Sequence, residues 1–284
     1  MSGFNEETAT DIVLSRLENC ENPRLKQIMT SVITHLHAVV RETEPTMEEW
    51  MAAIQFLTAT GQKCDDKRQE WILLSDTLGV SMLVDTINHR ASDGATESTV
   101  LGPFHVANAP EKANGEALTG IEGDVCIVEG RVLDTDGSPV AGAKVDTWQS
   151  DPEGFYDVQK PGAEADLRGV FRTDDQGRFW FRTVMPLYYP VPTDGPAGQL
   201  LKGLGRHAYR PAHIHFMIDA PGRKQLVTHL FDEADPYLES DVVFGVKNSL
   251  IKHFDMVDDG GRASELGVAA PFRHVAHDFV LQRA

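Results

Sequence analysis

The sequence predicts an α+β protein, with a helical N-terminal region followed by an antiparallel β-sandwich. Three observations carry that prediction. Up to about residue 90, apolar residues recur at helix-face spacing. Beyond about residue 120, apolar and polar residues alternate. The alternating stretches are joined by short turns, with no helical pattern between them. The change of style divides the chain into residues 1–95, helical, and residues 96–284, a β-sandwich. At 284 residues the chain can bury about 75% of its unfolded surface, so it needs no disulfide staples.

The first helix reads from "NPRLKQIMTSVITHLHAVVRE". Leu25, Ile28, Met29, Val32 and Ile33 share a face, and Pro23 after Asn22 suits the first helical position. "TMEEWMAAIQFL" opens with Thr46 three residues before Glu49, a capping box. "DDKRQEWILLSDTLGVSMLVDTINHR" continues in helical style with a break at Gly79. The segment "STVLGPFHVANAPEKANGEALTG" is rich in Gly, Pro, Ala and Asn and reads as a connection that can also wrap a site. Strands follow around "TDGSP", "DDQG" and "APG". "DVVFGVKNSLIKHF" suits a short helix or a strand, and "RHVAHDFVLQ" reads as a last strand.

Composition excludes several functions. A formal net charge of -17 argues against nucleic-acid binding, which needs clustered Lys and Arg. No run of about 18 apolar residues is present to span a membrane, and no secretory signal pattern opens the chain. Cys20, Cys64 and Cys126 are odd in number and widely spaced. They suit a reducing cytoplasm, the expected location, and do not form a cysteine metal site.

The chemistry centres on "YRPAHIHFMID". On a strand, residues i and i+2 point to one face, so His213 and His215 can converge on one ion. The chain holds its own contrast in His35 and His37. There the same H-x-H spacing lies on a helix, where the side chains diverge by about 200°. The bland alternative for His213 and His215 is a half-buried strand whose polar residues face water. Pro211 holds Arg210 extended, and a fixed guanidinium beside an imidazole pair suits an anionic ligand. No HExxH is present, so a zinc hydrolase is a weak alternative. Tyrosines are scarce, and a phenolate is a hard anionic donor suited to ferric iron; Tyr156, Tyr188 and Tyr189 stand in "DPEGFYD" and "MPLYYPVP". Each could equally be an aromatic with a wetted hydroxyl.

"DTWQSDPEGFYD", "RTVMPLYYPVP" and "GRHAYRPAHIHF", in that order and spacing, resemble the intradiol ring-cleaving dioxygenases. The resemblance covers roughly residues 70 to 255, plus a helical N-terminal region typical of the catechol branch. It implies one Fe(III) per subunit, held by Tyr156, Tyr189, His213 and His215, with O2 as co-substrate and no reductant. Tyr189 is taken rather than Tyr188 because it stands three after Pro186, as the family's ligand does. It also implies that Tyr189 leaves the metal when an ortho-diol binds, and that Arg210 stabilises negative charge on the ring. The likeness is greatest to the branch that opens benzene-1,2,4-triol (hydroxyquinol), with chlorocatechol or catechol as alternative substrates.

In that reading Leu73 and Asp76, three apart on a helix, lie at the pocket wall, and Asp76 meets a third hydroxyl. Alternatively, Asp76 caps a local helix start. Val100, Leu101, Gly102, Pro103 and Phe104 form another wall, closed by Val191, Pro192 and Val243; core packing is the alternative for each. At His229, catechol-cleaving relatives often carry glutamine; a histidine there either acts from behind Arg210 and the iron or only fills space, and it weakens the plain catechol reading. The resemblance further implies a homodimer through the N-terminal helices and a phospholipid held there, with Val32, Ile33, Leu36, Val39 and Val40 as its lining. "GSPVAGAKVDTW" also resembles transthyretin-like accessory domains, which leaves a non-catalytic binding module as the reading from another class.

Overall fold

A computed structural model of the chain describes residues 3–66, 68–90, 94–160 and 165–284. Lys67, inside the stretch read as helical, lies outside them. The chain forms two compact units, Met1–Ala59 and Thr60–Ala284. The division falls ahead of the compositional change near residue 95, so the last helices of the helical stretch belong to the β-rich unit.

The first unit holds α1 (Ala9–Ser15), α2 (Pro23–Thr43) and most of α3 (Met47–Gln62). Asn22 caps α2 by accepting from the Leu25 amide, and Pro23 occupies the first turn. Thr46 and Glu49 form the expected reciprocal box, at 3.2 and 2.8 Å. On α2, Leu25, Ile28, Val32, Leu36, Val39 and Val40 are exposed, as are Trp50, Ile54 and Leu57 on α3. These stripes are not core within this single chain. Apolar surface of that extent marks a place of contact.

The second unit starts with α4 (Glu70–Thr77) and α5 (Val80–Asn88). Gly79 separates them at φ +73°, a conformation that glycine adopts without penalty. Then come β1 (Val125–Asp134), β2 (Lys144–Gln149), β3 (Arg168–Arg172), β4 (Arg178–Val184) and the two-residue β5 (Tyr189–Pro190). α6 (Pro196–Gly203) leads to β6 (Tyr209–Arg210), β7 (His213–Asp219) and β8 (Leu226–Asp232). β9 (Ile251–Lys252), β10 (Asp255–Val257), α7 (Gly260–Leu266) and β11 (Phe272–Leu281) complete the unit.

Two sheets pack face to face, ordered β3-β2-β7-β8-β9 and β10-β11-β1-β4. Their inner faces follow the period of two. Ile214, Phe216 and Ile218 from β7 meet Val128, Val132, Phe179, Phe181 and Phe279 from the opposing sheet, all buried. The sandwich differs from the expectation in three respects. The β1–β11 and β8–β9 pairs are parallel, and α6 and α7 intervene between strands. The "TDGSP" and "DDQG" turns carry the chain from one sheet to the other, and only "APG" joins neighbouring partners, β7 and β8. Local alternation states which residues face inward, not which sheet a strand joins. The "DVVFGVKNSLIKHF" stretch becomes a short 3-10 turn, Asn248–Leu250, followed by β9. No helix among the described residues is long and apolar enough to cross a membrane.

One partly buried imidazole is expected to make the fold acid-sensitive. His277 on β11 has an Nε2 sealed from solvent without a hydrogen-bond partner, and burial, then nearby Lys252, pushes its pKa down to about 4. Between pH 6.5 and about 4 the unfolded chain takes up a proton here that the folded chain refuses, so this contribution to stability is whole above pH 6.5 and is lost on acidification. The full loss is roughly 3 kcal/mol. Urea denaturation of His277→Phe should show a flatter stability profile than the parent between pH 6.5 and 4. Parallel profiles for the two would contradict the assignment.

Candidate metal centre

β7 sends Ile214 and Phe216 into the sandwich core, so His213 and His215 share the other face. That face is not wet: both imidazoles are 1% exposed. Trp148, opposite His215 in the β2–β7 register, stacks on it with ring centres 4.6 Å apart and planes 13° from parallel. The alternative of a half-buried strand whose polar residues face water therefore fails, because a second layer of aromatic residues covers the outer face.

That layer contains the tyrosines. The β5–β6 pairing sets Tyr189 directly across from Arg210. Tyr156 arrives on the "DPEGFYD" turn, where Asp151 accepts from the Glu153 and Phe155 amides. Gly154 is required there, since a Cβ would lie 2.8 Å from the Tyr188 carbonyl oxygen and the backbone has φ +85°. Gln159 then accepts from the Tyr156 amide and fixes the ring's entry. Tyr156, Tyr189 and Trp148 form one buried cluster with Phe104 packed on it, and Phe104 stacks on Tyr156 at 4.3 Å. Tyr188 points elsewhere and packs on Tyr209 and Tyr237.

Four donor atoms of the second unit thus converge. The Tyr156 hydroxyl lies 3.0 Å from His215 Nε2, and the two Nε2 atoms lie 3.0 Å apart. The Tyr189 hydroxyl lies 3.5 Å from Arg210 Nη1, which is itself 3.4 Å from His213 Nε2. His213 donates from Nδ1 to the Pro211 carbonyl at 2.6 Å, so its Nε2 presents a bare lone pair to the site. His215 Nδ1 lies 2.6 Å from His229 Nε2. With the His215 proton on that side, two lone pairs face each other and repel unless a cation lies between them. A separation of 3.0 Å is what neighbouring donors adopt around an ion with bonds of about 2.1 Å.

The electrostatics agree. Burial, then the charge of Arg210 or of neighbouring imidazoles, holds His213, His215 and His229 well below the ordinary histidine pKa, so all three stay neutral and able to donate lone pairs. Burial, then neighbouring Tyr189, holds the Tyr156 phenol well above its usual value, so it keeps its proton until a cation offers compensation. Arg210, 3% exposed, faces Asp241 at 3.2 and 3.4 Å. Burial works against its charge, but Asp241 together with Tyr189 and Tyr156 outweighs burial and raises its pKa. The guanidinium is therefore both half of a buried ion pair and a fixed positive charge at the site's edge.

Among the described residues, His213, His215 and His229 form one group that could hold a metal ion. His229, read from the sequence as a residue behind Arg210 and the iron or as space filling, meets the far nitrogen of His215 and backs that ring. Its position was legible, since His215 and His229 lie equally far on either side of Gly222 in the β7–β8 hairpin. Trp148 gave no such signal, because stacking across strands depends on the register of β2 against β7.

Leu73, Val100, Val191 and Val243 meet in one apolar cluster with Leu201 and Val242. Gly102 passes so close to the site that a Cβ would lie 3.4 Å from His215 Cε1. Asp76 is half-buried on α4; burial raises its pKa, against a hydrogen bond from Ser81. Its place near the end of α4 does not fit a cap at a helix start. Leu101, Pro103 and Pro192 are exposed and not drawn into that cluster.

A buried set of imidazoles and phenols beside a fixed arginine, on a β-sandwich preceded by helices, defines the class: a protein whose candidate site fits a metal cofactor. Comparison with known proteins gives the family. The model of the catechol dioxygenase N terminus matches residues 22–96, and the dioxygenase model matches residues 100–283. A hydroxyquinol 1,2-dioxygenase of Rhizobium sp. strain MTP-10005 is 58% identical over 99% of this chain and 96% of its own length. A 6-chlorohydroxyquinol 1,2-dioxygenase of Cupriavidus pinatubonensis is 53% identical over 92% of this chain and 95% of its own. The crystal structure of a hydroxyquinol 1,2-dioxygenase from Pseudomonas putida DLL-E4 superposes with a TM-score of 0.94 at 49% identity, covering 98% and 99% of the two chains. The chain belongs to the intradiol ring-cleavage dioxygenases. Membership sets aside the non-catalytic binding module and the zinc hydrolase.

Proposed function

We propose that this chain opens hydroxyquinol between its ortho hydroxyls with O2, giving 3-hydroxy-cis,cis-muconate and its tautomer maleylacetate. Tyr156, Tyr189, His213 and His215 would hold one Fe(III). The observation that carries the reading is the convergence of two phenols and two imidazoles in one dry site. When bound, ferric iron supplies Lewis acidity that ionises the ortho-diol and draws charge from its ring towards reaction with O2, so no reductant is needed.

The protein's own residues do the remaining work. Trp148 and Phe104 exclude water, which strengthens every charge interaction inside. Arg210 places its positive charge against the ionised ring. The Tyr189 oxygen, within 3.5 Å of Arg210, is the group suited to take a proton from the diol as it gives way. Leu73, Val100, Val191 and Val243 supply an apolar wall with Gly102 and Phe104, and Leu101, Pro103 and Pro192 would join it at the rim. Asp76 offers that wall's carboxyl group to a third hydroxyl, which catechol lacks. The names of the relatives support the triol over chlorocatechol or catechol.

The test is direct. Purified protein should carry iron, show the wine-red phenolate-to-Fe(III) absorption, and turn over hydroxyquinol faster than catechol or chlorocatechols. Asp76→Ala should narrow that preference by roughly 10- to 100-fold in kcat/KM, the cost of an unmet buried polar contact. A colourless protein that stays inactive after ferric reconstitution would refute the reading, and an unchanged preference in the variant would refute the role of Asp76. The exposed stripes on α2 and α3, Val32, Leu36, Val39 and Val40 among them, support a homodimer through the N-terminal helices, with a phospholipid against the same apolar residues.

A further inference from the structure

His229 is more than filler behind the site. It is fully buried, and its two nitrogens face two different residues: Nε2 is 2.6 Å from His215 Nδ1, and Nδ1 is 3.3 Å from the Thr99 hydroxyl. The Thr99 hydroxyl in turn donates towards Met82 Sδ at 3.9 Å. Thr99 is itself pinned, since its amide donates to the Val227 carbonyl at 2.9 Å. The four residues come from β7, β8, the connecting segment and α5, and none is more than 6% exposed.

One direction of the protons satisfies every member of this chain. A thioether sulfur accepts and cannot donate, so nothing at the Met82 end opposes a hydroxyl pointing to it. The Thr99 oxygen then accepts from His229 Nδ1–H. A neutral imidazole protonated at Nδ1 has a bare Nε2, which accepts from His215 Nδ1–H. The Nε2 of His215 is left as a lone pair facing His213 Nε2 and the Tyr156 hydroxyl. His213 reaches the same state by a shorter route, through the Pro211 carbonyl.

We infer that Met82, Thr99 and His229 form a polarised relay that holds His215 in its Nδ1–H tautomer and orients its Nε2 for the metal, which makes His229 a positioning residue. The inference rests on the ferric reading of the site. It goes beyond the ligand set by explaining why a histidine can occupy this place: it accepts from the ligand ring and passes its own proton outward.

The test compares full-length wild type with His229→Gln, His229→Leu and Thr99→Val. Ferric affinity is measured by chelator competition, and the phenolate charge-transfer band is recorded. Glutamine keeps an acceptor oxygen for His215 and an amide donor for Thr99, so it should retain affinity within a few-fold and keep the band. Leucine removes the acceptor and should weaken ferric binding by roughly 10- to 100-fold, with a displaced band. Thr99→Val should fall between them. In metal-free wild type, nitrogen-15 spectra of labelled histidine should show His215 protonated at Nδ1. Leucine matching wild type in affinity and band, or a metal-free His215 protonated at Nε2, overturns the relay. A wild type that takes up no ferric iron overturns instead the reading beneath it.

Discussion

Arg210→Met is expected to cost the enzyme roughly 10^2- to 10^3-fold in kcat, the usual loss when one preorganised charge is removed from a dry site. The same change should lower folding stability by about 3–5 kcal/mol, because Asp241 is left buried without its cation. A second substitution separates the two effects. Asp241→Asn removes the stranded charge, and its amide oxygen can still accept from one of the Val243 and Gly245 amides, which the carboxylate receives on separate oxygens. The double variant should regain part of the lost stability in urea denaturation and none of the lost turnover. If turnover returned with stability, Arg210 would be only half of a structural ion pair.

Tyr156→Phe should have an effect of similar size on turnover. Losing one anionic donor removes several kcal/mol of charge stabilisation, and about 4 kcal/mol corresponds to about 10^3-fold in rate. The phenolate band should weaken in step with ferric affinity. Metal-free protein adds a sign that packing alone does not produce. The buried Tyr156 holds its proton above the pH, about 10, at which an unfolded tyrosine ionises. Its contribution to stability is therefore whole below pH 10 and declines as pH rises beyond it, since the unfolded chain gives up a proton that the folded chain keeps. Tyr156→Phe should abolish this part of the alkaline decline in metal-free protein. An equal decline in both proteins would show that Tyr156 is not the group responsible.

Much of this protein follows from sequence order alone. The period of two along "HIHFMID" determines that His213 and His215 share a face, and Pro211 determines that Arg210 enters extended. Asn22, Thr46, Glu49 and Gly79 mark helix ends because caps and left-handed positions are set by neighbouring backbone. What sequence order could not reveal depends on contacts between distant elements. The choice of sheet for β1 and β2 is one, because alternation states inside and outside but names no neighbour. The burial of both imidazoles is another, since the covering residues Trp148 and Tyr156 of one segment and Phe104 of another lie far in sequence from His213 and His215. The double duty of Arg210 and the backing of His215 by His229, Thr99 and Met82 are of the same kind. Hydrogen-bond direction and pKa are properties of a surrounding dielectric and of nearby charges, and those exist only once tertiary packing has brought the groups together.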